Sequence, residues 1–223
     1  MAQLYLAIET SSRNCSVALF RDEQLLDCIE QHDDQYIHSE KLHVFIRDIF
    51  QRNQLEYRDL SAVAVSKGPG SYTGLRIGVS TAKGICFPME IPLIAISSTH
   101  VLALQSEKKT DFIVPVLDAR RMEVFSAVYD QSGNAVRAIQ AEVIDQHSFA
   151  EYFQNGSVEI IGDCVGKIKD VLPNAHFTDT FPSASDMGVE VHRKFKKEEF
   201  EDLAYFEPYY LKDFVAIKPK KLL

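Results

Sequence analysis

Lys67-Gly68-Pro69-Gly70-Ser71-Tyr72-Thr73-Gly74-Leu75-Arg76-Ile77-Gly78 is the stretch on which the fold turns. A compact apolar run, residues 62–67, leads into it, and a helical pattern, residues 72–87, leaves it and stops before Pro88. Gly-Pro-Gly-Ser has to turn, and strand, glycine turn and helix in that order are a unit of α/β architecture. Backbone N–H groups at such a helix start can stabilise an anion, which makes Gly70 and Ser71 candidate contacts for one. No Gly-Lys-Ser/Thr follows, so the segment is not a P-loop, and its spacing is not that of a dinucleotide fingerprint. Gly74, Gly78, Ala82 and Gly84 place small residues along the helix, where each glycine costs up to about 1 kcal/mol. Close packing of another helix is the preferred compensation, and a phosphate cradle is the alternative.

Working outward, residues 4–10, 15–20 and 24–30 are short apolar runs parted by turn chemistry at Ser11-Ser12-Arg13-Asn14 and Arg21-Asp22-Glu23. They read as three strands in antiparallel succession. Residues 39–53 carry Leu42, Phe45, Ile46, Ile49 and Phe50 at helical spacing, with Ser39 as the expected N-cap. Beyond the glycine segment come a strand at 92–96 and a short helix capped by Ser97-Ser98-Thr99. The order is β-β-β-α-β-α-β-α. The pattern then restarts, with strands at 112–118, 123–129 and 136–143, a helix at 148–153, a strand at 158–161 and helices at 166–172 and 185–197. The second half therefore repeats β-β-β-α-β-α in shortened form. The polar run Gln105-Ser106-Glu107-Lys108-Lys109-Thr110 places the boundary, giving halves 1–105 and 106–223, with the last segment frayed or docked back on the first half.

The chain has 223 residues, a formal net charge of −8, a sequence pI near 5.4 and 46% apolar residues. That is the composition of a globular protein and argues against a stand-alone nucleic-acid binder. No apolar run approaches the ~20 residues of a membrane span, and the N-terminus lacks a signal-peptide n-region, so the expected location is the cytoplasm. Cys15, Cys28, Cys86 and Cys164 form no CxxC pair and read as reduced thiols, three of them within apolar stretches. No Gly-x-Ser-x-Gly elbow or zinc-protease helix is present, and nothing identifies a base for Ser71. We assign no catalytic residue, metal ligand or cofactor. Leu75, Ile77, Val79, Ile85, Cys86 and Phe87 are spread over several faces of the second helix, and Val44 lies off the stripe of the first. A helix apolar on more than one side needs a second partner. Burial within the chain and burial against another protein both satisfy that need.

Ala7-Ile8-Glu9-Thr10-Ser11-Ser12, His38-Ser39-Glu40-Lys41-Leu42 and the glycine segment together resemble the TsaB (YeaZ) family. That family supplies the accessory subunit of bacterial tRNA threonylcarbamoyladenosine biosynthesis. Ala82-Lys83-Gly84, Pro92-Leu93-Ile94-Ala95-Ile96-Ser97-Ser98, Asp118-Ala119-Arg120-Arg121-Met122-Glu123-Val124 and Glu207-Pro208-Tyr209-Tyr210-Leu211 also fit. The likeness is dense to about residue 100 and thin between 130 and 200. It implies a two-lobed actin-like (ASKHA) α/β fold, whose two hairpins face a nucleotide cleft. Mapped here, Glu9, Thr10, Ser11 and Asp118 become candidate nucleotide contacts, or else charges paired at hairpin ends. The catalytic sister family, TsaD, carries a metal-binding His-x-x-x-His pair. Here His38 and His43 are five apart, ~140° around a helix, and cannot share one ion.

The resemblance also implies partners. They are a TsaD-like catalytic subunit, a TsaE-like ATPase, tRNA reached indirectly through the complex, and a second copy of the chain when it is alone. The implied contact surface is His38, Leu42, Phe45, Ile46, Ile49 and Phe50 on the first helix, with Leu75, Gly78, Val79, Ala82 and Cys86 on the second. A charge at Ile49 or Val79 is then expected to weaken association and leave the chain folded. The rival expectation is an ATP-dependent phosphotransferase using Glu9 and Asp118.

Overall fold

Leu4–Glu9 forms a strand, β1, buried along its whole length, and its alternating side chains lay down two separate cores. A computed structural model describes residues 2–33, 37–107 and 109–212. Leu4, Leu6 and Ile8 point to one side, joined there by Cys15, Val17 and Leu19 of β2 (Asn14–Arg21). Two long helices cover that side, α1 (His38–Asn53) and α2 (Tyr72–Met89). Tyr5 and Ala7 point to the other, with Ala18 and Phe20 of β2. With β3 (Gln24–His32), β4 (Ala62–Ser66) and β5 (Leu93–Ile96), these strands make a sheet of order β3-β2-β1-β4-β5. β1 pairs antiparallel with β2 and parallel with β4.

The second half repeats this plan in full. After α3 (Ser98–Leu104) come β6 (Phe112–Asp118), β7 (Glu123–Asp130), β8 (Ala135–Val143), α4 (Ala150–Asn155), β9 (Val158–Gly162), α5 (Val165–Ile168), β10 (His176–Asp179) and α6 (Gly188–Lys196). The sheet order β10-β9-β6-β7-β8 is the first sheet's order with each strand replaced by its counterpart. The halves together form the two-lobed actin-like α/β fold. The shortening lies in the helices: α4 and α5 have 6 and 4 residues against 16 and 18 in α1 and α2.

Each half also lends a helix to the other. Leu102 of α3 packs with Leu117, Ala119 and Phe125 of the second half, and Ala103 packs with Ile113, Ala127, Tyr129 and Ile161. In return, Met187 and Val191 beside and within α6 cover Tyr5, Ala18, Phe20 and Ile94 of the first sheet. Among the described residues, no helix is long and apolar enough to cross a membrane.

Three local expectations are corrected. The N-cap of α1 is Ile37, without a side-chain cap bond, and exposed Ser39 lies inside the helix. α2 runs through Pro88 to Met89 and closes on Glu90 in left-handed conformation; the N–H that Pro88 lacks costs little, because Gly84 four residues back faces water. Finally, the four residues of β10 lack an apolar run, although they complete the second sheet.

Candidate functional site

The glycine segment exists to seat the first hairpin. A Cβ on Gly70 would lie 2.2 Å from the Ser11 carbonyl oxygen, one on Gly74 2.1 Å from that of Thr10, and one on Gly78 2.3 Å from the Thr10 hydroxyl. The Thr10 hydroxyl donates to the Gly74 carbonyl at 2.9 Å, and the Ser71 N–H donates to the Ser11 carbonyl at 2.6 Å. Ser71 also caps α2, its Oγ accepting from the Gly74 N–H at 3.3 Å. The backbone approached so closely is therefore that of the β1–β2 turn, rather than another helix. At Ser71, the N–H proposed to meet an anion is used inside the chain.

The other proposed nucleotide contacts are equally committed. Glu9, Thr10 and Ser11 are at most 2% exposed. Glu9 Oε1 accepts the Ser11 N–H at 2.5 Å, while its buried Oε2 has no hydrogen-bond partner among the described residues. Burial pushes the Glu9 carboxyl above the usual carboxylate range, against the opposing pull of neighbouring Ser11, Ser66 and Thr10. Asp118 is exposed and pairs with Lys167, and its carboxylate also accepts the Arg120 N–H at 2.8 Å. Its own N–H donates to Asp163 Oδ1 at 2.9 Å. Burial raises the Asp163 carboxyl to about 6. A sealed Glu9 and an Asp118 held by lysine do not fit a magnesium-bound phosphate.

Nor do the histidines fit a metal centre. His38 is 1% exposed, its Nε2 lies 2.9 Å from the Ser12 carbonyl, and its ring packs against Gly74. Burial lowers its pKa, keeping the ring neutral. His43 is exposed on α1. Among the described residues, no three His, Cys, Asp or Glu side chains gather as a metal site would require.

The eleven residues assigned to a partner surface need correction. Leu42, Phe45, Ile46, Ile49 and Phe50 of α1, with Val79, Ala82 and Cys86 of α2, belong to the core between these helices and the first sheet. Leu75, Gly78 and His38 are buried as well. The spacing locates the apolar stripe of α1, and it faces the chain's own sheet. What α2 shows outward is Thr73, Arg76, Ser80, Gly84, Phe87, Pro88 and Met89, with Ile77 half-buried among them. Phe87 is 78% exposed. A Cβ on Gly84 would meet nothing within 4 Å. Positions 73, 77, 80, 84 and 87 alternate steps of four and three, the spacing of a helix-packing seam. That spacing is the signal that could have found them in the sequence.

A family model described as TsaD, tRNA N6-adenosine threonylcarbamoyltransferase, matches residues 34–222. The chain is 32% identical over 140 residues to the tRNA threonylcarbamoyladenosine biosynthesis protein TsaB of Bacillus subtilis, covering 60% of this chain and 58% of that protein. Its likeness to the Escherichia coli TsaB is also 32%, over 59% of this chain and 57% of the relative. A tRNA N6-adenosine threonylcarbamoyltransferase of Lactiplantibacillus plantarum is 29% identical over 81% of this chain and 57% of its own length. The matches thus span under two thirds of these relatives. In structure, YeaZ from Pseudomonas aeruginosa superposes with a TM-score of 0.81 at 23% identity, covering 94% of this chain and 100% of the other.

Proposed function

We propose that this chain, which belongs to the family described as TsaD, tRNA N6-adenosine threonylcarbamoyltransferase, is a non-catalytic accessory subunit of tRNA threonylcarbamoyladenosine biosynthesis. Its role is to bind a TsaD-like catalytic subunit through the outward side of α2 and to hold that subunit in a competent state, contributing binding free energy rather than reacting groups. The observation that carries the reading is the pairing of exposed Phe87 with Gly84 on one helical seam. Glycine inside a helix costs about 1 kcal/mol relative to alanine. None of the described residues approaches Gly84 to require it, whereas a second helix packed along the seam would. The TsaB relatives support the pathway, and the transferase relative supports the partner's class. A TsaE-like ATPase, tRNA held through the assembled complex, a homodimer in the partner's absence and a cytoplasmic location complete the proposal.

Phe87→Asp tests it. Mixed with the TsaD-like subunit of the same genome, the variant is expected to bind about 30-fold more weakly, the ~2 kcal/mol of a helix-interface anchor. Modification of tRNA by the reconstituted subunits should fall in step, with the thermal midpoint of the free chain unchanged. Parent-like binding by a folded Phe87→Asp chain would remove α2 as the docking element, and tRNA modification by the chain alone would refute the accessory role.

A further inference from the structure

We propose that residues 207–212 form a latch that holds the two halves of the chain together. The preceding residues are anchored on the first half alone. The Glu201 N–H donates to the Leu93 carbonyl at 2.9 Å, Leu203 and Phe206 pack on the first core, and Lys83 Nζ grips the carbonyls of Ala204 and Phe206 at 3.2 and 3.1 Å. From Glu207 the segment follows α2 back to its first turn and crosses over there. The Tyr209 N–H donates to the Lys67 carbonyl at 2.7 Å, beside the glycine turn. The Tyr210 hydroxyl accepts from Arg76 Nε at 3.1 Å, and its ring lies 4.9 Å from that of Tyr72. One residue later the contacts pass to the other half and the helix packed on it. Leu211 packs on the cluster that Leu102 of α3 forms with Leu117, Ala119 and Phe125, and Lys212 pairs with Glu123, donates to the Ala119 carbonyl at 3.4 Å and sits 5.8 Å from the Phe125 ring centre.

Two features mark this crossing as built into the fold. Gly68 has φ +101°, and a Cβ there would lie 2.9 Å from the Tyr209 carbonyl oxygen, so the turn leaves room for the strap. The crossing also belongs to no helix or strand. Among the described residues, a single backbone bond, Tyr209 to Lys67, ties it to the rest. Such a segment can detach without breaking a ladder of hydrogen bonds, as local opening requires.

Hydrogen exchange read by mass spectrometry on the full-length chain tests the latch, comparing the parent with Leu211→Ser and Tyr210→Ala. Each variant is expected to speed exchange about tenfold in two places far apart in sequence, residues 67–72 and 119–125, with the amides of β1 and β2 unchanged. Small-angle scattering of the same variants should show a larger radius of gyration. Faster exchange confined to 207–212 would make the segment a surface cover and overturn the proposal. Loss of protection throughout, β1 included, would overturn it too, because the strap would then be part of the cooperative core.

Discussion

A glycine is informative only once the atom facing it is known. Gly74 and Gly84 stand ten residues apart on one helix, and in sequence they look alike. Gly74 faces the Thr10 carbonyl at a distance no Cβ tolerates, while Gly84 faces open space. Gly74→Ala is therefore expected to destabilise the chain by about 1–3 kcal/mol or more, as overpacking does. Gly84→Ala is expected to stabilise the free chain by about 0.5–1 kcal/mol and, under the proposed function, to weaken partner binding. Urea midpoints of both variants check the pair, and equal shifts of one sign would undo the distinction. Asp163 offers a second measurement. Its carboxyl rises from 3.8 to about 6 on folding, by burial first and then by the nearby Asp118 charge. Between those values the folded chain holds a proton that the unfolded chain has released. Stability should then fall as pH rises from about 4 to 6 and level off above. Asp163→Asn removes that titration while its amide oxygen can still accept the Asp118 N–H. Its stability relative to the parent should rise across the same window, by at most roughly 3 kcal/mol. A difference that does not vary with pH would show that Asp163 titrates alike in both states.

At the scale of elements, periodicity finds a helix and its apolar stripe but cannot say what the stripe faces. Leu42, Phe45, Ile46, Ile49 and Phe50 were legible as one face of α1, and they are one face. That this face meets β1 and β2 depends on strands up to 46 residues away. Ile49→Asp and Phe87→Asp separate the two kinds of apolar position. The first puts a carboxylate where exposure is 0% and is expected to unfold the chain, at a cost of several kcal/mol; the second should leave the melting curve in place. Folded Ile49→Asp protein, by circular dichroism, would contradict the burial described. The first β-β-β-α-β-α-β-α series and its partial repeat were readable from turn residues and apolar runs. β10 was not, because three of the four residues His176-Phe177-Thr178-Asp179 are polar and the strand gains its place by pairing with β9. The N-cap of α1 was missed for a related reason: His38 is drawn into the helix start by its contact with the Ser12 carbonyl, so the helix begins one residue before the serine.

For the molecule as a whole, the exchange of helices decides how far the halves are separate. The linker at 105–110 looks like a boundary, and the two sheets do lie on either side of it. Yet one face of the first sheet, bearing Tyr5, Ala18, Phe20 and Ile94, is covered by Ala184, Met187 and Val191 from beyond it. The fit is close: a Cβ on Gly188 would lie 2.4 Å from the Phe20 ring. Tyr5 adds a ring contact with Phe195 at 5.2 Å and a hydrogen bond with His192 at 3.1 Å. Residues 1–105 expressed alone would expose that face, Tyr5 and Phe20 included, and burying one large apolar side chain is worth about 1.5–3 kcal/mol. The whole stability of a domain is about 5–15 kcal/mol, so losing several such side chains to water leaves little. The fragment is expected to lack near-ultraviolet dichroism and to bind a hydrophobic dye. Co-expression with residues 106–223, which carry α6, should restore both the signal and cooperative unfolding, since the covering residues return without a covalent link. A fragment 1–105 that unfolds cooperatively by itself would show that α6 merely decorates a self-sufficient lobe. The two halves would then have to be treated as independent bodies, joined at their surfaces.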